Sequence, residues 1–141
     1  MATLLNPYLQ FDANAAEVLA FYQQVLGGEV HSSTFAEGGI SDEPGERDKI
    51  MHGMLTTPGG LVLMCADTPP GMEHPGFTSA VSISLSGDDD AQLRGFWAGL
   101  ADGGTIALPL EVAPWGDAFG LVIDRFGVHW MVNIAGSPGT A

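Results

Sequence analysis

Apolar residues recur at helical spacing in two stretches of the chain. Val18, Phe21, Tyr22 and Val25 form one face of a helix predicted over Ala15 to Leu26. Leu93, Phe96, Trp97 and Leu100 repeat that stripe over Asp89 to Ala101. Asn14 or Asp12 suits the start of the first helix, and Asp88 and Asp89 the start of the second. There a side-chain oxygen meets unpaired amides and the positive end of the helix dipole. Gly27-Gly28 and Gly103-Gly104 end the two helices. Shorter apolar or alternating runs predict strands over Glu29 to Thr34, Ile50 to Thr57 and Gly60 to Ala66. Three more are predicted over Thr105 to Glu111, Ala118 to Ile123 and Val128 to Ile134. Pro58-Gly59-Gly60 and Arg125-Phe126-Gly127 read as tight hairpin turns.

These elements form a repeat. A shift of 75 positions superposes Ala16 on Ala91, Val18 on Leu93, Phe21 on Phe96, Tyr22 on Trp97 and Gly28 on Gly103. Each half reads strand, helix, then three strands. The predicted fold class is α+β, with two β-α-β-β-β modules forming curved mixed sheets around a cleft. The first module spans 1–67 and the second 78–135. A Pro/Gly-rich linker covers 68–77 and a short tail 136–141.

Composition narrows the partners. Seventeen acidic residues face four basic ones, for a net charge of −13. That balance repels phosphate backbones and anionic membrane surfaces, so neither nucleic acid nor membrane is an expected partner. No apolar run approaches the ~20 residues of a membrane helix. The start Met1-Ala2-Thr3-Leu4-Leu5 lacks the basic and apolar regions of a signal peptide, so a cytoplasmic location is expected. Cys65 is the single cysteine, which excludes an intramolecular disulfide. It sits in the apolar run Leu61 to Ala66 and reads as a buried structural thiol.

Candidate chemistry is sparse. No HxH, HExxH or CxxC spacing occurs, and no glycine fingerprint for a nucleotide or S-adenosylmethionine is present. His52 lies on a predicted strand with Ile50 and Met54 on the same face. It is the candidate acid/base residue if that face lines a pocket, and a hydrogen-bonded strand histidine otherwise. His129 should face opposite to Trp130, and His31 and His74 have no partner at ligand spacing. Asp117 and Arg125 flank one hairpin; they either pair across it or face a ligand, where the guanidinium suits a carboxylate or phosphate. Trp115, in a loop between Pro114 and Gly116, is either a pocket wall or a dimer contact. The ligand-pocket set is therefore His52, Trp115, Asp117, Arg125 and Trp130. The acidic, Gly-rich stretch Phe35 to Lys49 reads as a solvated insertion or a lid.

Several local motifs resemble the PhnB-like branch of the vicinal-oxygen-chelate (glyoxalase/bleomycin-resistance/dioxygenase) superfamily over about Leu4 to Ile134. They are Asn6-Pro7-Tyr8-Leu9-Gln10-Phe11, Phe21-Tyr22 with Leu26-Gly27-Gly28, and Ile50-Met51-His52-Gly53 followed by Leu61 to Asp67. The most specific is Pro114-Trp115-Gly116-Asp117, then Gly120, then Asp124-Arg125-Phe126-Gly127-Val128-His129-Trp130. The resemblance implies paired modules, a homodimer and a pocket for a small molecule. It also implies four metal-ligand positions, near Asn6 or Tyr8, Met64, Ser82 and Met131. None supplies imidazole or carboxylate, and the neighbours Cys65, Val81, Ile83 and Val132 do not restore the set. Asn133 adds only an amide. No metal and no cofactor are expected. The expected function is binding of a small organic molecule without the superfamily's divalent metal. The alternatives are a glyoxalase- or dioxygenase-like lyase or oxidoreductase, metal-dependent or using His52, and a dimeric domain of regulatory or structural use.

Overall fold

The computed structural model describes residues 3–76 and 80–136. The chain divides into two compact units, residues 1–76 and 77–141, each carrying one β-α-β-β-β module. The first contains β1 (Tyr8–Phe11), α1 (Ala15–Leu26), β2 (Glu29–Thr34), β3 (Ile50–Thr56) and β4 (Val62–Asp67). The second contains β5 (Ile83–Gly87), α2 (Asp90–Ala101), β6 (Thr105–Val112), β7 (Ala118–Ile123) and β8 (His129–Ile134). The linker's end at 77, the second module's start at 78 and all of the tail beyond 136 lie outside the described residues.

Each unit builds one four-stranded mixed sheet, ordered β1-β4-β3-β2 and β5-β8-β7-β6. The module's first strand runs parallel to its last, and the other pairs are antiparallel. Both ends of α2 lie 75 positions after the ends of α1, so the sequence repeat is also a repeat of helices. Val18, Leu19, Phe21 and Tyr22 of α1 are buried on the sheet with Leu55, Leu63 and Cys65. Each large side chain removed from water in this way contributes roughly 1.5–3 kcal/mol. In α2 the matching aromatics Phe96 and Trp97 are only half-buried, while Leu93 and Leu100 are covered.

α1 is not capped by Asn14 or Asp12: Asn14 makes no side-chain cap bond, and Asp67 Oδ1 at the end of β4 accepts the Ala15 amide at 2.9 Å. Its Oδ2 accepts the Ile50 amide at 2.8 Å, so one buried carboxylate ties the start of α1 to the start of β3. α2, by contrast, is capped locally, with Asp89 accepting the Gln92 amide at 3.1 Å. Ile50 does not share the face of His52. A register shift between Ser33 and Thr34 puts Met51 opposite no residue of β2. Ile50 then turns towards the helix side, 3.4 Å from where a Gly53 Cβ would stand. Gly53 itself lies under Leu19, whose Cδ1 would have to move to admit a Cβ there.

The hairpin strand expected from Gly60 begins instead at Val62. Gly60 and Leu61 complete the turn: the Gly60 amide donates to the Thr57 carbonyl and the Leu61 amide to Thr57 Oγ1. In the acidic insertion, Arg47 pairs with Asp42 and Lys49 with Glu46. Among the described residues no helix is long and apolar enough to cross a membrane.

Candidate functional site

Alternation along the strands gives the first sheet two different faces. Gly53, Leu55, Leu63 and Cys65 point towards α1. His52, Met54, Met64 and the side chains in register with them point away from it. Met54 is the direct partner of Met64, and Met64 of Tyr8. One step along, Ala66 of β4 stands opposite Gln10. His52, Met54 and Met64 are half-buried, and Tyr8 is half-exposed at 54%.

Tyr8 and His52 make the most specific contact on this face. Their ring centroids are 5.9 Å apart with planes at 28°. They belong to β1 and β3, two strand spacings or ~9.5 Å apart. Their rings are closer than the strands that carry them, so the pair closes across β4, which lies between β1 and β3. Partial burial, reinforced by the Cys65 thiol, pushes the Tyr8 phenol above its ordinary pKa, so it keeps its proton as a hydrogen-bond donor. Cys65 lies on the helix side, where burial and then the Asp67 charge push its thiol up to about 12. A thiol so held is no nucleophile at neutral pH.

The other four candidates occupy the second unit, and each has a definite partner. Trp130 is 1% exposed on the helix side of β8, and its Nε1 donates to Asp124 Oδ2 at 2.9 Å. Asp124 Oδ1 accepts the Phe126 and Val128 amides at 2.9 and 3.1 Å. The aspartate thus holds the turn and clamps the indole that follows it, which gives the Asp124-to-Trp130 motif a role in folding. Arg125 does not pair with Asp117. Its guanidinium donates to the Asp102 carbonyl at 3.0 Å and to Asp102 Oδ2 at 3.2 Å, at the C-terminal end of α2. A cation there offsets the negative end of the helix dipole.

Asp117 instead accepts the Gly136 amide at 2.9 Å and Asn133 Nδ2 at 3.1 Å. These bonds, the backbone one first, hold its carboxyl below the usual range. Trp115 is 59% exposed at the tip between β6 and β7, its ring centroid 6.3 Å from that of Phe119 with the planes at 61°, an edge-on contact. Phe119 shares the helix-free face of its sheet with Leu121 and Met131.

The positions implied to bind metal offer a phenol and a thioether in the first unit and, in the second, a hydroxyl and a thioether. Met131 pairs with Ser84 and not with Ser82, which precedes β5. These donors do not fit a divalent ion that needs imidazole and carboxylate. No group of three or more His, Cys, Asp or Glu among the described residues is placed to hold a metal.

The profile of the Glyoxalase/Bleomycin resistance protein/Dioxygenase superfamily matches residues 4–132, and the chain belongs to that superfamily. Within it the chain falls in the PhnB-like branch. The PhnB protein of Bacillus cereus superposes with a TM-score of 0.75 at 26% identity, covering 94% of this chain and 100% of that one. Protein PA1353 of Pseudomonas aeruginosa superposes with a TM-score of 0.79 at 36% identity, covering 96% and 100%. Protein YjdN of Escherichia coli K12 is 28% identical over 142 residues, spanning 92% of this chain and 94% of YjdN.

Proposed function

We propose that the chain binds a small organic molecule on the helix-free face of its first sheet, without the divalent metal of its superfamily. The observation that carries this reading is the stacked Tyr8–His52 pair across β4, on the face that also carries Met54 and Met64. It combines an apolar, adaptable floor with a phenol donor and an imidazole, the mixture that small-molecule sites use for affinity and orientation. Homodimer formation and a cytoplasmic location are part of the same reading, the first supported by the superfamily and the second by the single buried thiol.

The test is a ligand screen by thermal shift on the purified, dialysed protein, with metal analysis of the same sample. The expected result is a compound that raises the melting temperature of the wild type and loses its effect in His52→Ala and Tyr8→Ala. Stoichiometric Zn, Ni, Fe or Mn surviving dialysis would overturn the metal-free reading. A ligand equally tight in both variants would place the site elsewhere.

The adjacency of a protonated phenol and an imidazole also favours a second reading, an enzyme using His52 as acid/base. Turnover of a bound compound, abolished by His52→Ala but with binding retained in His52→Gln, would select it.

A further inference from the structure

We propose that the first sheet also carries a soft-metal site, selective for Cu(I) and its analogue Ag(I), formed by Met54 Sδ, Met64 Sδ and an imidazole nitrogen of His52. Met54 and Met64 are direct cross-strand partners on the helix-free face. Residues so paired have Cβ atoms about 4.5–5.5 Å apart. Each thioether hangs on an unbranched, freely rotating side chain, so the two sulfurs can converge on one ion.

His52 follows on the same face of β3, two positions before Met54. Its ring stacks with that of Tyr8 at 5.9 Å, and Tyr8 is the register partner of Met64 on β4. The strand that carries Met64 lies between the strands of these two rings. His31, in register with Met54, is left out because its imidazole sits 3.5 Å from Glu29.

The donor chemistry selects the ion. Thioethers are soft ligands that favour Cu(I), and imidazole also binds copper. Two thioethers and one imidazole carry no charge, which suits a monovalent ion better than a divalent one. Nothing is oxidised or reduced on binding, since the ion enters and stays as Cu(I) or Ag(I). The chain's net charge of −13 raises the local concentration of cations. Cys65, a further soft donor nearby, is on the opposite face with its thiol proton firmly held. This inference shares its face with the proposed organic-ligand site but does not depend on it, because the metal alone is the probe.

The experiment is an anaerobic titration of the full chain with Cu(I) against a chromophoric Cu(I) chelator. A parallel Ag(I) titration is followed by NMR of methyl-labelled methionine. The expected outcome is one ion per chain, with the Met54 and Met64 methyl signals moving and those of the other four of the six methionines still. The double variant Met54→Leu/Met64→Leu should lose affinity by tenfold or more, that is by at least about 1.4 kcal/mol. Cys65→Ala should keep it. Equal retention of Cu(I) by the double leucine variant, loss through Cys65→Ala alone, or no Cu(I) held against the chelator would overturn the proposal. If the double variant fails to fold, the wild-type methyl shifts decide the matter. A thermal shift with an organic ligand in the absence of copper is read separately, so either site can fail alone.

Discussion

Asp67 Oδ1 accepts the backbone amide of Ala15 at 2.9 Å, across 52 positions of sequence. The same carboxylate accepts the Ile50 amide at 2.8 Å and is 3% exposed. Removing it leaves two buried donors unpaired. Asp67→Ala is expected to cost about 2–4 kcal/mol in urea unfolding. Asn14→Ala, at the formal cap position, should stay within about 0.5 kcal/mol of wild type. Comparable losses in the two variants would mean that Asn14 caps the helix after all.

The second unit has a buried carboxylate of another kind: Asp124 in the β7–β8 turn accepts from Trp130 Nε1 at 2.9 Å. Trp130→Phe keeps the aromatic bulk and leaves the buried Asp124 Oδ2 without its indole donor. Equilibrium unfolding should show a loss of about 1.5–3 kcal/mol, the range for hydrogen bonds to charged groups. No loss would indicate that the turn amides alone satisfy the carboxylate.

Arg125 reaches the end of α2 and not Asp117. It is largely exposed, so Arg125→Ala should lower stability by only about 0.5–1 kcal/mol. It should leave the dissociation constant of any compound found by the thermal-shift screen unchanged. A large loss of binding with stability intact would assign the guanidinium to a ligand.

The thiol of Cys65, pushed up to about 12, gives a pH-dependent signature. Its folded value lies above its unfolded value, so its contribution to stability is full below about pH 9. That contribution is lost as pH rises towards the folded value. Labelling by a thiol reagent at pH 8 should be slow in the native protein and fast in urea. Equal rates in the two states would show that the thiol is accessible and ionised.

Asp117 shifts the other way, held low by the Gly136 amide and then by Asn133. Its contribution to stability is present above the ordinary carboxylate range and lost as pH falls through its lowered folded value. Carboxyl NMR should show the Asp117 midpoint rising in Asn133→Ala, yet staying below that of a free aspartate while the Gly136 bond remains. An unchanged midpoint would remove Asn133 as a cause.

Periodicity alone located all eight strands but the short β1 and β5, which the repeat, with a strand before each helix, anticipated without bounds. It also gave α1 its observed limits, Ala15–Leu26, because each of these elements has an apolar face of its own period. The candidate site was legible only in part. His52 was visible as a strand histidine, while Tyr8 drew attention only as an implied metal-ligand position and Ala66 not at all. Their signal was the alternation of Tyr8 and Gln10 with Leu9 and Phe11, too short in four residues to separate a site from an edge strand.

What the amino-acid sequence by itself determined is therefore local: the helices, the hairpin strands, the repeat and the family motifs. The tertiary structure decided which residues meet. Parallel pairing of β1 with β4 carried Tyr8 to Met64 and let its ring reach His52. The same closure brought Asp67 to α1, and it was a β-bulge that turned Ile50 away from His52. Register and strand order are set by the burial of whole faces, and no window of neighbouring residues contains that information.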